Sequence, residues 1–118
     1  MNTLLFRIAA GLGFLAVGLG AFGAHALKNI LQTNDTTEAW KTAVLYHVVH
    51  ALALLLLALL PTANRAAASL FIAGVVLFSG SLYLLALTNV KWLGAITPIG
   101  GLCFLAGWTC LVIWPPRL

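Results

Sequence analysis

Carboxylates are almost missing from this chain: Asp35 and Glu38 are the only two in 118 residues. With Arg7, Lys28, Lys41, Arg65, Lys91 and Arg117 they make up the entire fixed charge, 7% of the sequence. A soluble domain carries about a quarter of its residues charged. So small a polar supply cannot cover a core with a wetted surface, which excludes an ordinary water-soluble domain. The six basic residues give a net charge of +4, yet they are scattered singly. The basic patch or stripe that phosphate binding needs is lacking, so no nucleic-acid partner is expected. Cysteine is scarce too. Cys103 and Cys110, at i and i+7, would lie ~10 Å apart along a helix, beyond disulfide reach. They read as small apolar residues, not redox groups, and do not report a compartment. Equally absent are GxGxxG and Walker loops, G-x-S-x-G, HExxH and CxxC, the usual equipment of nucleotide, acyl-transfer and zinc chemistry. No enzyme activity and no cofactor are expected.

What is present is hydrophobic: 63% of the residues, with a mean hydropathy of +1.09. Apolar runs suggest helices over about 4–27, 36–60, 66–88 and 92–114, each close to the ~20 residues that cross a ~30 Å hydrocarbon layer. Barrel strands would alternate, and these runs do not. Short second and third connections, at 61–65 and 88–91, make neighbouring helices antiparallel. The expected fold is an all-α membrane protein, an antiparallel up-down bundle of four transmembrane helices forming one integral domain over 1–118. Arg7, the apolar run and Ala24-His25-Ala26 imitate a signal peptide with a cleavage site. The run exceeds a usual signal core and reads as a retained helix. Asp35 and Glu38 have capping-box spacing, which predicts that the second helix starts near Asp35. Trp92 and Trp114 bracket the fourth helix as interface anchors.

On the first helix Ala9, Gly13, Ala16, Gly20 and Ala24 fall on one face, and on the fourth Thr97 and Gly101 repeat the small spacing. Such faces let membrane helices approach closely and are expected to serve packing, with a homo-oligomer or a larger membrane complex left open. Four crossings put both termini on one side with Arg7, Arg65 and Arg117, against Lys28, Lys41 and Lys91 on the other. The positive-inside count is tied. Arg65 in the compact second turn favours cytoplasmic termini.

Polar residues are distributed unevenly. His25, Tyr46, His47, His50, Ser79, Ser81, Tyr83 and Thr97 all fall in the membrane half facing the first and third connections. His47 and His50 are i, i+3; Tyr46 and His50, like Ser79 and Tyr83, are i, i+4, so each pair shares a helix face. Taking the middle of each apolar run as the bilayer centre places His50 within roughly 3 Å of the midplane. Polar groups at such depth should face the bundle interior or a wet cavity. Three readings compete. The first is a neutral histidine network that hydrogen-bonds the helices to one another. The second is a transport or proton-relay site, since histidine titrates near neutral pH, although no intramembrane carboxylate accompanies it. The third is a metal, haem or quinone site built on His25, His47 and His50, although Glu38 lies several turns away.

The same residues carry a resemblance. Gly20-Ala21-Phe22-Gly23-Ala24-His25, Tyr46-His47-Val48-Val49-His50-Ala51-Leu52-Ala53-Leu54, Leu77-Phe78-Ser79-Gly80-Ser81-Leu82-Tyr83-Leu84-Leu85-Ala86-Leu87 and Thr97-Pro98-Ile99-Gly100-Gly101, followed by Gly107-Trp108, resemble the blocks of the YgdD-like family of small membrane proteins. This is domain of unknown function family 423, UPF0382-type, with transmembrane protein 256 as its animal relative. The resemblance runs in order over essentially the whole chain. It implies a four-helix inner-membrane protein of bacterial type and does not point to any particular biochemical activity; of the histidines, His25 and His50 match the pattern better than His47. The expectation is therefore an uncharacterised integral membrane protein in a structural or accessory role. The alternative is small-molecule, proton, metal or haem binding or transport through the polar cluster.

Overall fold

A computed structural model describes residues 1–62 and 64–117. Among them, four helices are long and apolar enough to cross a membrane: Thr3–Ala24, Thr37–Leu59, Arg65–Thr88 and Lys91–Ile113. They alternate in direction, and no strand occurs among the described residues. Ala63, in the expected second turn, lies outside the described residues.

Helix ends explain where each crossing starts and stops. The first begins at Asn2, whose Oδ1 accepts the Leu5 N–H at 3.0 Å. It stops at Ala24, earlier than the apolar run suggests, because His25 leaves the helical region at φ −122°, ψ −82°. The expected Asp35 cap of the second helix is also corrected. The polar connection contains a helix of its own, Lys28–Asn34, and Asp35 ends that helix in the left-handed region at φ 55°. The second long helix starts at Thr37, and Thr36 gives it no side-chain cap. Instead the Thr36 hydroxyl donates to Ala86 O at 2.8 Å, and Asn34 Nδ2 donates to the same oxygen at 3.0 Å. Ala86 lies in the last turn of the third helix, where carbonyls have no intrahelical partner. The capping-box segment thus ends one helix at Asp35 and helps close another through Thr36, without a side-chain cap on the helix that follows it.

The other membrane side follows the same logic. Asn2 N–H donates to Ala58 O at the end of the second helix, and Asn64 Nδ2 reaches Trp114 O at 3.0 Å beyond the fourth.

The first helix packs on the second, the second on the third, and the third on the fourth. Within the most apolar stretch of each span, 39% of residues in the second helix and 33% in the third are buried, against 17% in the first and fourth. The outer pair therefore flank a central pair, in a flattened body of 48 × 26 × 17 Å. The main core joins Leu5 and Ala9 to Leu54, Ala58, Ala67, Phe71 and Phe104. A smaller one, Leu31 with Trp40 and Ala86, ties down the connecting helix.

Lipid is as apolar as leucine, so helix association rests on close packing and hydrogen bonds, not on escape from water. Ala9 and Ala16 are buried, while a Cβ at Gly13 would meet nothing within 4 Å and Ala24 is exposed. The tightest approach on the first helix is Gly23, which lies under the Trp40 ring. On the fourth it is Gly100, not Gly101: a Cβ there would lie 2.7 Å from Phe78 Cα, against 3.8 Å to the Phe78 side chain at Gly101. The third and fourth helices also exchange rings, Phe104 filling the space over Gly74 and Phe71 the space over Gly107.

The third helix is not uniform. Its stretch Val75–Ser79 is a π turn, closed by the Gly80 N–H on Val75 O five residues back. The fourth begins with a tight 3₁₀ turn, Lys91–Ala95, and continues from Thr97 with Pro98 in its first turn, where the missing N–H costs no helical bond.

Candidate functional site

The polar residues of the second helix diverge. His47 and His50 share that helix, and both are 3% exposed, yet they serve different neighbours. His47 Nδ1 lies 2.8 Å from the Tyr83 hydroxyl on the third helix. Its Nε2 is buried and has no hydrogen-bond partner among the described residues.

His50 is enclosed by aromatic rings. It stacks on Phe104 with centroids 3.7 Å apart and planes at 11°, and meets Phe71 edge-on at 5.1 Å. Its Nδ1 lies 2.7 Å from Tyr46 O, a carbonyl that can only accept. Trp108 Nε1 points at His50 Nε2 from 3.0 Å, and an indole N–H can only donate. The two contacts together assign the tautomer: Nδ1 carries the proton, Nε2 presents its lone pair, and the ring is neutral with both nitrogens occupied. A second proton on Nε2 would face the tryptophan N–H. A metal at Nε2 would have to displace it.

The hydroxyls form separate ties. Ser79 donates to Ala43 O at 2.8 Å, joining the third helix to the second. Ser81 donates to Phe78 O at 2.9 Å. Its only proton being used there, the 2.6 Å contact with Thr97 has Thr97 as donor, joining the third helix to the fourth. Tyr46 is 41% exposed and lays its ring on Phe78, centroids 4.7 Å apart. His25 does not join the group: it sits exposed in the turn after the first helix.

The expected cluster is thus a set of three interhelical ties, His47–Tyr83, Ser79–Ala43 and Ser81–Thr97, beside the His50–Trp108 pair. Among the described residues, no three His, Cys, Asp or Glu side chains gather so as to hold a metal ion. The residue that sequence reasoning left out of the polar set is Trp108, which entered only through the family resemblance. Its place in the interior of the fourth crossing, away from the interfacial belts that tryptophan favours, is the signal that could have found it. Trp40 is similar: it is buried and donates to Leu19 O at 2.9 Å, bridging the second helix to the first.

Residues 19–101 match a family described as "Protein of unknown function (DUF423)". The Bacillus subtilis UPF0382 membrane protein YwdK is 46% identical over 105 residues, covering 84% of this chain and 85% of its own. The Escherichia coli UPF0382 inner membrane protein YgdD is 41% identical over 123 aligned positions, covering 99% and 92%. A fission-yeast relative, Schizosaccharomyces pombe UPF0382 membrane protein C1782.12c, is 38% identical over 116, covering 92% and 98%. No solved structure matches.

Proposed function

The chain belongs to the DUF423 family of membrane proteins, and from that premise we propose that it is a non-enzymatic structural or accessory component of the bacterial inner membrane. On this reading its buried polar side chains hold helices together instead of reacting. The observation that carries it is the neutral His50 ring with both nitrogens engaged, by Tyr46 O and by Trp108. A relay histidine must exchange a proton, and a ligand histidine must offer a lone pair; His50 has neither free. The relative named an inner membrane protein supports the location. The partners are the lipid bilayer and, along the weakly buried outer helices, a second copy or a larger membrane complex.

One observation favours the other reading, binding or transport of a small molecule, a proton or a metal or haem: the buried Nε2 of His47 without a partner among the described residues. Elemental analysis and an absorption spectrum of the purified protein separate the two. The expected result is no stoichiometric metal and no Soret band; either signal would overturn the structural reading.

For orientation we place both termini in the cytoplasm, following Arg65 at the start of the third helix, in the compact second connection. Fusions after residue 117 test this: a fluorescent protein there should be bright and an alkaline phosphatase inactive. The reverse pair would invert the topology.

A further inference from the structure

Between the first and second helices, on the side of the connecting helix, lies a groove of about 600 Å³. Its floor exists because glycine supplies no side chain: Gly20 and Gly23 let the groove run down to Val44 and the Trp40 ring. The deep end is apolar, lined by Val44, Leu45 and Val48. The shallow end carries Lys28, Gln32 and Lys41. Among the described residues lining it there is no carboxylate. The one salt bridge among the described residues pairs Lys41 with Glu38 at 3.5 Å, both side chains well exposed, so water screens it and the ammonium stays free to reorient.

The dimensions identify an occupant. From Lys41 at the headgroup level to Val48 at the deep end the wall runs about 10 Å at ~1.5 Å per residue, roughly two thirds of the half-thickness of a ~30 Å hydrocarbon layer. A cleft that reaches most of the way through one leaflet, greasy below and doubly basic at the headgroup level, matches a lipid with an acyl chain and an anionic phosphate. Ammonium groups flanking such a cleft can make charge-assisted hydrogen bonds to a lipid phosphate, and the deep, apolar part gives the chain a place that free phosphate could not use. We propose that this groove is a binding site for one anionic phospholipid, its phosphate between Lys28 and Lys41 and one chain along Gly20, Val44 and Val48, in the leaflet opposite the termini.

Native mass spectrometry of the detergent-purified protein, offered phosphatidylglycerol and phosphatidylcholine at equal mole fraction, tests the site. An exposed lysine–phosphate pair is worth up to about fivefold in binding, so with Lys41 partly offset by Glu38 the expected preference for phosphatidylglycerol is about tenfold. K28Q/K41Q should abolish that preference. K91Q removes one charge from the same membrane side but outside the groove, and should leave it unchanged. Ala24→Leu, an exposed position on the rim, should lower binding of both lipids by obstructing the groove. Inorganic phosphate at millimolar concentration should not compete. Equal binding of the two lipids by the unaltered protein, a loss with K91Q as large as with the double variant, or displacement by phosphate alone would each overturn the proposal.

Discussion

Gly100→Ala should destabilise the bundle by about 3 kcal/mol, the upper range for overpacking, while Gly101→Ala one residue on should change it by less than ~0.5 kcal/mol. The two differ only in which way the added methyl points. At Gly100 it would press on the backbone of Phe78, 2.7 Å from its Cα. A backbone cannot swing aside as a side chain can, so the third and fourth helices must separate, and the Phe104–Gly74 and Phe71–Gly107 contacts loosen with them. At Gly101 the nearest atom is a Phe78 ring carbon at 3.8 Å, which is ordinary contact. Reversible unfolding in mixed detergent and denaturant, followed by helical signal, would compare the pair. Equal stability of the two variants would mean that the helices do not approach most closely at Gly100.

His50→Ala should cost about 2–4 kcal/mol, from three losses of unequal size. Removing the ring ends the stack on Phe104, about 0.5–1.5 kcal/mol for an aromatic pair. It removes the acceptor of the Trp108 N–H, about 0.6 kcal/mol on average and ~1.7 at most for hydrogen bonds inside membrane proteins. It also leaves a cavity beside Phe71, whose cost depends on how far the neighbours relax. Trp108→Phe deletes the hydrogen bond but keeps most of the ring area, so it should cost less than half as much. Measuring both variants and their double gives the coupling between the side chains. A His50→Ala protein as stable as the parent would show that the stacked, doubly bonded imidazole contributes nothing, and would return His50 to the list of candidate ligands.

Much of the fold was legible because a crossing is a property averaged over some twenty residues. No single side chain can spoil the signal of an apolar run, and the order of runs and short turns dictates alternation. The site was legible only as a list. A helix that is hydrophobic all round carries little record of which face turns inward, so spacing could place His47 and His50 on one helix without saying that one meets Tyr83 and the other Trp108. Trp108 escaped because it entered only through the family resemblance, although its indole N–H is a donor that needs a partner inside the hydrocarbon layer. The start of the second helix was misread at Asp35 because capping rules are local, whereas Asp35 ends the connecting helix and the neighbouring Thr36 hydroxyl is used fifty residues away at Ala86. His25 looked deep because the apolar run continues past it to Leu27, although the helix ends at Ala24.

The π turn at Val75–Ser79 has a consequence for how insertions and deletions are tolerated in this crossing. A helix turns about 100° per residue, and a π turn takes up one residue more than an α turn. Phe71 and Gly74 before it meet Phe104, Gly107 and Trp108, while Ser79 and Ser81 around its end meet Ala43 and Thr97. The wider turn absorbs that extra residue with about the rotation of an ordinary α turn, so the two sets of contacts keep the phase of a regular helix one residue shorter. Regularising the turn at its present length would instead rotate one set by roughly a quarter turn relative to the other, and both faces could not be satisfied at once. The third crossing should therefore accept the loss of one residue within Val75–Ser79 more readily than the loss of one residue elsewhere along it.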